Sequence, residues 1–115
     1  MIIFTLCFKV SLSKRKEVFS LFDSLAGPLS VKPGCSRVAL FSNVNGHEDL
    51  MLIEEWQSRA ELDKHIRSNE FRKILALMDL SNESPKTRFY QVSSTEGFEV
   101  VEKARKAIVH TSYSP

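Results

Sequence analysis

The stretch from Leu52 to Phe71, LIEEWQSRAELDKHIRSNEF, limits the fold more than any other part of the chain. Leu52 and Ile53 are strand formers, and Trp56 closes the strand they belong to. Ser58 and Glu61 have the S-x-x-E spacing of a capping box, so a helix is expected to open just after Ser58. His65 then falls two turns into that helix. A strand that runs straight into a helix brings side chains from two rigid elements together, and such a junction can wall a small-molecule pocket. The competing reading makes Trp56 a plain core residue and His65 a half-exposed neighbour of Lys64.

The remaining elements follow from hydrophobic period. Ile2 to Val10 alternates, with Ile2, Phe4, Leu6, Phe8 and Val10 on one face and Ile3, Thr5, Cys7 and Lys9 on the other. A helix opened by Ser13 carries the stripe Val18, Leu21, Phe22, Leu25 and Leu29, and Gly27-Pro28 punctuates its end. Lys14 to Lys16 sit at the positive end of that helix, so tertiary packing must hold it. Lys32-Pro33-Gly34 turns the chain. Cys35 to Val44 reads as a strand, Asn45-Gly46 as a tight turn, and Asp49 to Trp56 as the antiparallel partner. The second helical region is broken at Ser68-Asn69 into Arg59–Ile66 and Glu70–Met78, the latter with Phe71, Ile74, Leu75 and Met78 on one side. Lys86 to Val92 is the last main strand. Beyond Gly97 a helix with the stripe Val100, Val101, Ala104, Ala107 and Ile108 is predicted, and the tail from Thr111 reads as frayed.

The order β-α-β-β-α-β plus a C-terminal helix predicts an α+β fold. It is the ferredoxin-like arrangement, with two helices on one face of an antiparallel sheet. Residues 1–95 form the predicted domain, and 96–115 a C-terminal helix and tail. The bare sheet face is not polar: Ile3, Cys7, Met51, Ile53 and one side of Val38 to Val44 would lie there. Strands apolar on both faces are normally covered on both. The simplest cover is a second copy, giving a two-fold homodimer.

Composition excludes several classes. A chain of 115 residues with 43% hydrophobic content suits one globular domain. The net charge of +2 is near neutral, and the basic run Lys14-Arg15-Lys16 stops at Glu17, so no nucleic-acid partner is expected. Met1 to Val10 is apolar but too short to span a bilayer, has no basic segment before it, and has no small-residue cleavage site after it. It is read as the first strand of a cytoplasmic protein with no membrane partner. Cys7 and Cys35 are read as unpaired. His47, His65 and His110 are scattered, without C-x-x-C or H-x-x-x-H spacing, so no metal site is expected. A P-loop, a dinucleotide fingerprint and a nucleophile elbow are absent from the sequence.

Several pieces, in order, resemble the antibiotic biosynthesis monooxygenase family. They are Pro33-Gly34-Cys35 before the second strand, LIEEW at 52–56, the S-x-x-x-L-x-x-H-x-x-S-x-x-F run from Ser58 to Phe71, and Arg88-Phe89-Tyr90 in the last strand. The resemblance spans residues 1–95 and implies a dimeric α+β barrel. It also implies a range of activities, because the family is functionally mixed. Some members resemble oxygenases that oxidise electron-rich phenols or quinols with O₂ and no bound cofactor. The substrate anion reduces oxygen there, while the protein supplies a dry pocket, a base and orientation. Trp56 matches the family aromatic at the strand–helix joint. His65 matches a histidine of the quinol-oxidising and isomerase-like branches. Where oxygenase members place an Asn and a Tyr around that aromatic, this chain has Leu52 and Leu62. Haem-degrading members need a histidine ligand in the second half of helix two, and Phe71 to Met78 offers none.

The resulting site assigns catalysis to His65 and Trp56 and substrate contact to Phe4, Phe41, Phe71 and Tyr90, with Phe8 also lining the cavity. His65 suits a base that takes a phenolic proton. The cavity is expected between sheet and helices, bordered by Trp56, His65 and Phe71. Glu54 and Glu55 point to opposite faces of their strand. The inward one needs a partner, for which Arg37 or Arg88 are candidates, in a structural ion pair. The expected function is cofactor-free oxidation of a small aromatic or quinol. The alternative is a non-catalytic or isomerase-type small-molecule binder on the same scaffold.

Overall fold

The computed structural model describes residues 1–113, with side chains described through Lys106. The elements are β1 (Ile2–Lys9), a 3₁₀ turn (Leu12–Lys14), α1 (Arg15–Ser30), β2 (Cys35–Ser42), β3 (Asp49–Trp56), α2 (Arg59–Ile66), α3 (Phe71–Asp79), β4 (Lys86–Gln91) and α4 (Glu99–Tyr113). The strands form one antiparallel sheet in the order β2-β3-β1-β4, which is the predicted ferredoxin-like topology. In its register Phe4 lies opposite Glu54 on β3 and Phe89 on β4.

Alternation then decides which side chains enter the core. Ile2, Phe4, Leu6 and Phe8 of β1 and Leu50, Leu52, Glu54 and Trp56 of β3 are buried beneath the helices. Val18, Leu25 and Leu29 of α1, Leu62 and His65 of α2, and Ile74 and Leu77 of α3 close over them. The opposite, outer face carries Ile3, Cys7, Ala39, Phe41, Met51, Ile53 and Tyr90 among charged neighbours such as Arg37, Glu55 and Arg88.

Four local expectations are corrected. Ser13 does not cap α1: it lies in the 3₁₀ turn, its hydroxyl 3.1 Å from that of Ser11, and α1 opens at Arg15 with no side-chain cap. Gly27-Pro28 does not end α1, which runs on to Ser30. A proline removes only one N–H, and the preceding glycine has no Cβ to clash with its ring. Continuing the helix buries Leu29 one turn beyond Leu25. Asn45-Gly46 makes no two-residue turn, because neither residue takes a positive φ. The Asn43 side chain instead accepts from the Asn45 backbone N–H at 2.9 Å, and Asn43–Glu48 form a wider loop. Finally, the inward stripe of α3 is Ile74 and Leu77, while Leu75 is exposed.

α4 runs to Tyr113, past the predicted fraying point at Thr111. Its described side chains, Glu99 to Lys106, are all exposed, as is Phe98 before it. The radius of gyration is 18.4 Å, against about 13 Å for a compact chain of this length. α4 therefore stands away from the sheet and its helices. No helix among the described residues is long and apolar enough to cross a membrane.

One glycine holds the strand–helix junction in place. Gly34 has φ +87°, in the left-handed region that favours glycine, and a Cβ there would meet Glu61 Cγ at 2.5 Å. Its carbonyl accepts from the Gln57 N–H at 2.8 Å, which ties the turn before β2 to the residue after Trp56. Next along, the Ser58 hydroxyl accepts from the Glu61 N–H at 3.2 Å, the expected helix cap. Gly34→Ala is expected to lower the urea midpoint. The positive φ alone costs about 1–2 kcal/mol, and crowding against Glu61 adds to it. An unchanged midpoint would contradict this role for the turn.

Candidate functional site

Three polar-capable side chains meet inside the apolar core: Glu54 and Trp56 from β3 and His65 from α2. Residues two apart on a strand share a face, so the parity that buries Trp56 also buries Glu54. His65 lies one turn after Leu62 on the buried stripe of α2. All three are completely enclosed. The Trp56 Nε1–H donates to Glu54 Oε1 at 2.9 Å. His65 Nε2 lies 3.2 Å from the same oxygen, off the line of a well-formed hydrogen bond. Glu54 Oε2 and His65 Nδ1 are buried without any protein partner.

Aromatic rings surround this cluster. His65 stacks on Trp56 with ring centroids 4.7 Å apart, and Phe71 stands edge-on to His65 at 5.5 Å and 81°. Phe4 lies 6.5 Å from Phe71 and stacks at 4.8 Å on Phe89, a residue that is 46% exposed. A line of rings thus runs from His65 through Phe71 and Phe4 to the surface at the β4 edge. Leu52 and Leu62, at the positions where oxygenase members were expected to carry polar groups, are both buried core residues.

The structure divides the sequence-predicted residues. His65, Trp56, Phe4 and Phe71 come together. Phe41 and Tyr90 do not, because they pair with Met51 and Ile3 on the outer face. Phe8 belongs to the inner core at the far end of β1. The ion-pair expectation is corrected as well: inward Glu54 meets Trp56 and His65, and Arg37 pairs instead with outward Glu55 at 3.3 Å. The membership of Glu54 in the cluster is the feature that sequence reasoning missed.

The cleft that the structure shows lies elsewhere than the expected cavity. A cleft of about 440 Å³ opens at the end of the sheet where β1 finishes. Cys7, Lys9, Phe41, Met51 and Lys86 are among its lining residues, and neither Trp56 nor His65 borders it. The Cys7 thiol is exposed there, whereas Cys35 is partly buried and burial pushes its thiol pKa up. Among the described residues no group of three or more His, Cys, Asp or Glu side chains is placed to hold a metal ion.

Comparison with known proteins agrees with this architecture. The family model for antibiotic biosynthesis monooxygenase matches residues 1–77, and the chain belongs to that family. An uncharacterised protein of Synechocystis sp. is 24% identical over 89 residues, which cover 76% of this chain and 60% of that protein. The chain thus spans about 60% of the length of that curated relative. A conserved protein from Methanosarcina mazei superposes with a TM-score of 0.73 at 26% identity, covering 78% of this chain and 90% of that one. SnoaB, a cofactor-independent oxygenase from Streptomyces nogalater, superposes with a TM-score of 0.69 at 20% identity, covering 82% and 94%. At that identity the likeness to SnoaB is one of fold.

Proposed function

We propose that the chain is a monooxygenase that oxidises a small quinol or phenolic substrate with O₂ and without a bound cofactor. The observation that carries this reading is the enclosed Glu54–Trp56–His65 cluster, in which polar atoms stand unpartnered inside an aromatic shell. Buried polar groups normally find partners, and those without one in the protein mark places where a ligand, an ion or an ordered water completes the bonding. Family membership supports the same reading.

In this mechanism the aromatic ring of the substrate takes a place against Trp56 and Phe71, and His65 accepts the proton of its hydroxyl group. The resulting anion is electron-rich enough to pass electrons to O₂. One oxygen atom enters the product and the other leaves as water, with the substrate supplying the electrons. Exclusion of bulk water strengthens the interactions that hold the anion. Entry requires displacement of Phe71, which is only partly buried and follows the break between α2 and α3 at Arg67–Glu70. Exposed Phe89 marks the outer end of that route.

We also infer a homodimer through the outer sheet face. Phe41 and Tyr90 are 43% and 46% exposed there, beside half-buried Ile3, Met51 and Ile53. A contiguous apolar patch of this kind is normally covered.

Oxygen consumption with a panel of dihydroxynaphthalenes tests the activity, using metal-stripped, colourless protein. Uptake by the wild type is expected, and His65→Ala should lower turnover by roughly 10²-fold or more if the histidine is the base. Activity that appears only after adding iron or flavin would overturn the cofactor-free reading, and no turnover of any panel member would favour the binder. For the dimer, light scattering at micromolar concentration should give twice the chain mass. Ile53→Glu should split or unfold the assembly, and a wild-type monomer would contradict the inference.

A further inference from the structure

We propose that Glu54 makes the buried site selective for ligands that donate hydrogen bonds, and that His65 Nδ1 is the nitrogen that faces the ligand. The inference rests on the proposed use of this site but concerns Glu54, which that reading leaves without a role, and which nitrogen of His65 meets the ligand.

A carboxylate oxygen accepts hydrogen bonds and cannot donate them. Glu54 Oε1 already accepts the Trp56 N–H at 2.9 Å and lies 3.2 Å from His65 Nε2. Which nitrogen of an imidazole carries the proton is set by the partner of each. A bare Nε2 would set two lone pairs against each other at that distance. A protonated Nε2 faces the oxygen favourably, and a small rotation of the ring completes the bond. The neutral ring then carries its lone pair on Nδ1.

The consequence is an inventory of what remains. The Trp56 N–H is spent on Glu54, and the Nε2–H is directed at the same oxygen. His65 Nδ1 and Glu54 Oε2 are left, both buried and both without a protein partner. Both are acceptors. A ligand with hydroxyl groups, such as a dihydroxy aromatic, satisfies them. A quinone or an aryl ether offers only acceptors and leaves them unpaired in the core, which is costly. The same chemistry separates substrate from product: inserting one oxygen atom into a diol gives a hydroxyquinone and water, leaving one hydroxyl donor where the diol had two, which weakens its hold on the site. Glu54 is thus both the positioning group for His65 and, through Oε2, a contact for the ligand.

Anaerobic calorimetric titration tests this without turnover. Three probes of one ring system suffice: 1,4-dihydroxynaphthalene, 1,4-dimethoxynaphthalene and 1,4-naphthoquinone. Binding of the diol is expected to exceed that of the ether and the quinone by roughly tenfold or more, about one hydrogen bond to a charged group. In Glu54→Gln the amide oxygen can keep the Trp56 N–H while its NH₂ replaces an acceptor with a donor. The diol preference should then fall by about the same factor. Equal binding of all three probes by the wild type, or an unchanged preference in Glu54→Gln, would overturn the proposal. Should that variant fail to fold, nitrogen-15 NMR of wild-type His65 decides, with the resonance assigned by comparison with His65→Gln. The Nε2–H tautomer is expected, and a neutral Nδ1–H tautomer would overturn the proposal. A protein that prefers the diol but consumes no oxygen fails only the oxygenase reading. One that turns over yet binds the ether equally well fails only this one.

Discussion

One carboxylate oxygen, Glu54 Oε1, joins the sheet to its second helix through polar contacts in an otherwise apolar core. Placing a carboxylate there costs several kcal/mol unless its partners are well arranged. The Trp56 N–H on the same strand and the His65 ring on α2 are those partners. Of the two, only His65 crosses from β3 to α2, approaching Oε1 at 3.2 Å while its ring stacks on Trp56. The elements around the joint reinforce this. The Gly34 carbonyl holds the Gln57 N–H, and the Ser58 hydroxyl fixes the first turn of α2. A substitution in that turn therefore acts on the site as well as on the fold.

The two faces of the sheet do different work. The inner face is packed by α1, α2 and α3 and holds the enclosed cluster, with its aromatic line to the β4 edge. The outer face holds an apolar field edged by the Arg37–Glu55 pair, and the 440 Å³ cleft opens at the end of the sheet between the two faces. The chemistry proposed for the inner face and the association proposed for the outer face are compatible because strand alternation keeps the two sets of side chains apart. The family model ends at residue 77, so α4 lies beyond the matched part of the chain.

Much of this was legible in the sequence, for identifiable reasons. The alternation of Ile2 to Val10 and the helical stripe Val18–Leu29 have strong periods, and they packed as those periods demand. The junction from Trp56 to His65 was visible because its cap and strand signals are local. What stayed hidden depended on parity and register across strands. Trp56 inside implies Glu54 inside, a signal present in the sequence, but which acceptor or donor Glu54 would meet depends on how α2 lies over β3. Phe41 and Tyr90 were grouped with the site on residue type, whereas pairing with Met51 and Ile3 sends them to the other face. In place of the Asn45-Gly46 turn, which needs positive φ at both residues, the Asn43 side chain accepts the Asn45 N–H and the strands are joined by a wider loop. In α3 Leu77 rather than Leu75 enters the core beside Ile74, a choice set by how the helix lies on the sheet rather than by its own hydrophobic pattern.

The central claim is that Glu54 holds Trp56 inside the core through its indole N–H. Trp56 is the single tryptophan, so its indole proton gives one resolved signal. Hydrogen exchange of that proton into deuterated buffer tests the claim most directly. Exchange should be slow, limited by opening of the core, and Glu54→Gln should shift the resonance without exposing it. An indole proton that exchanges as fast as that of a solvent-exposed tryptophan would contradict the account.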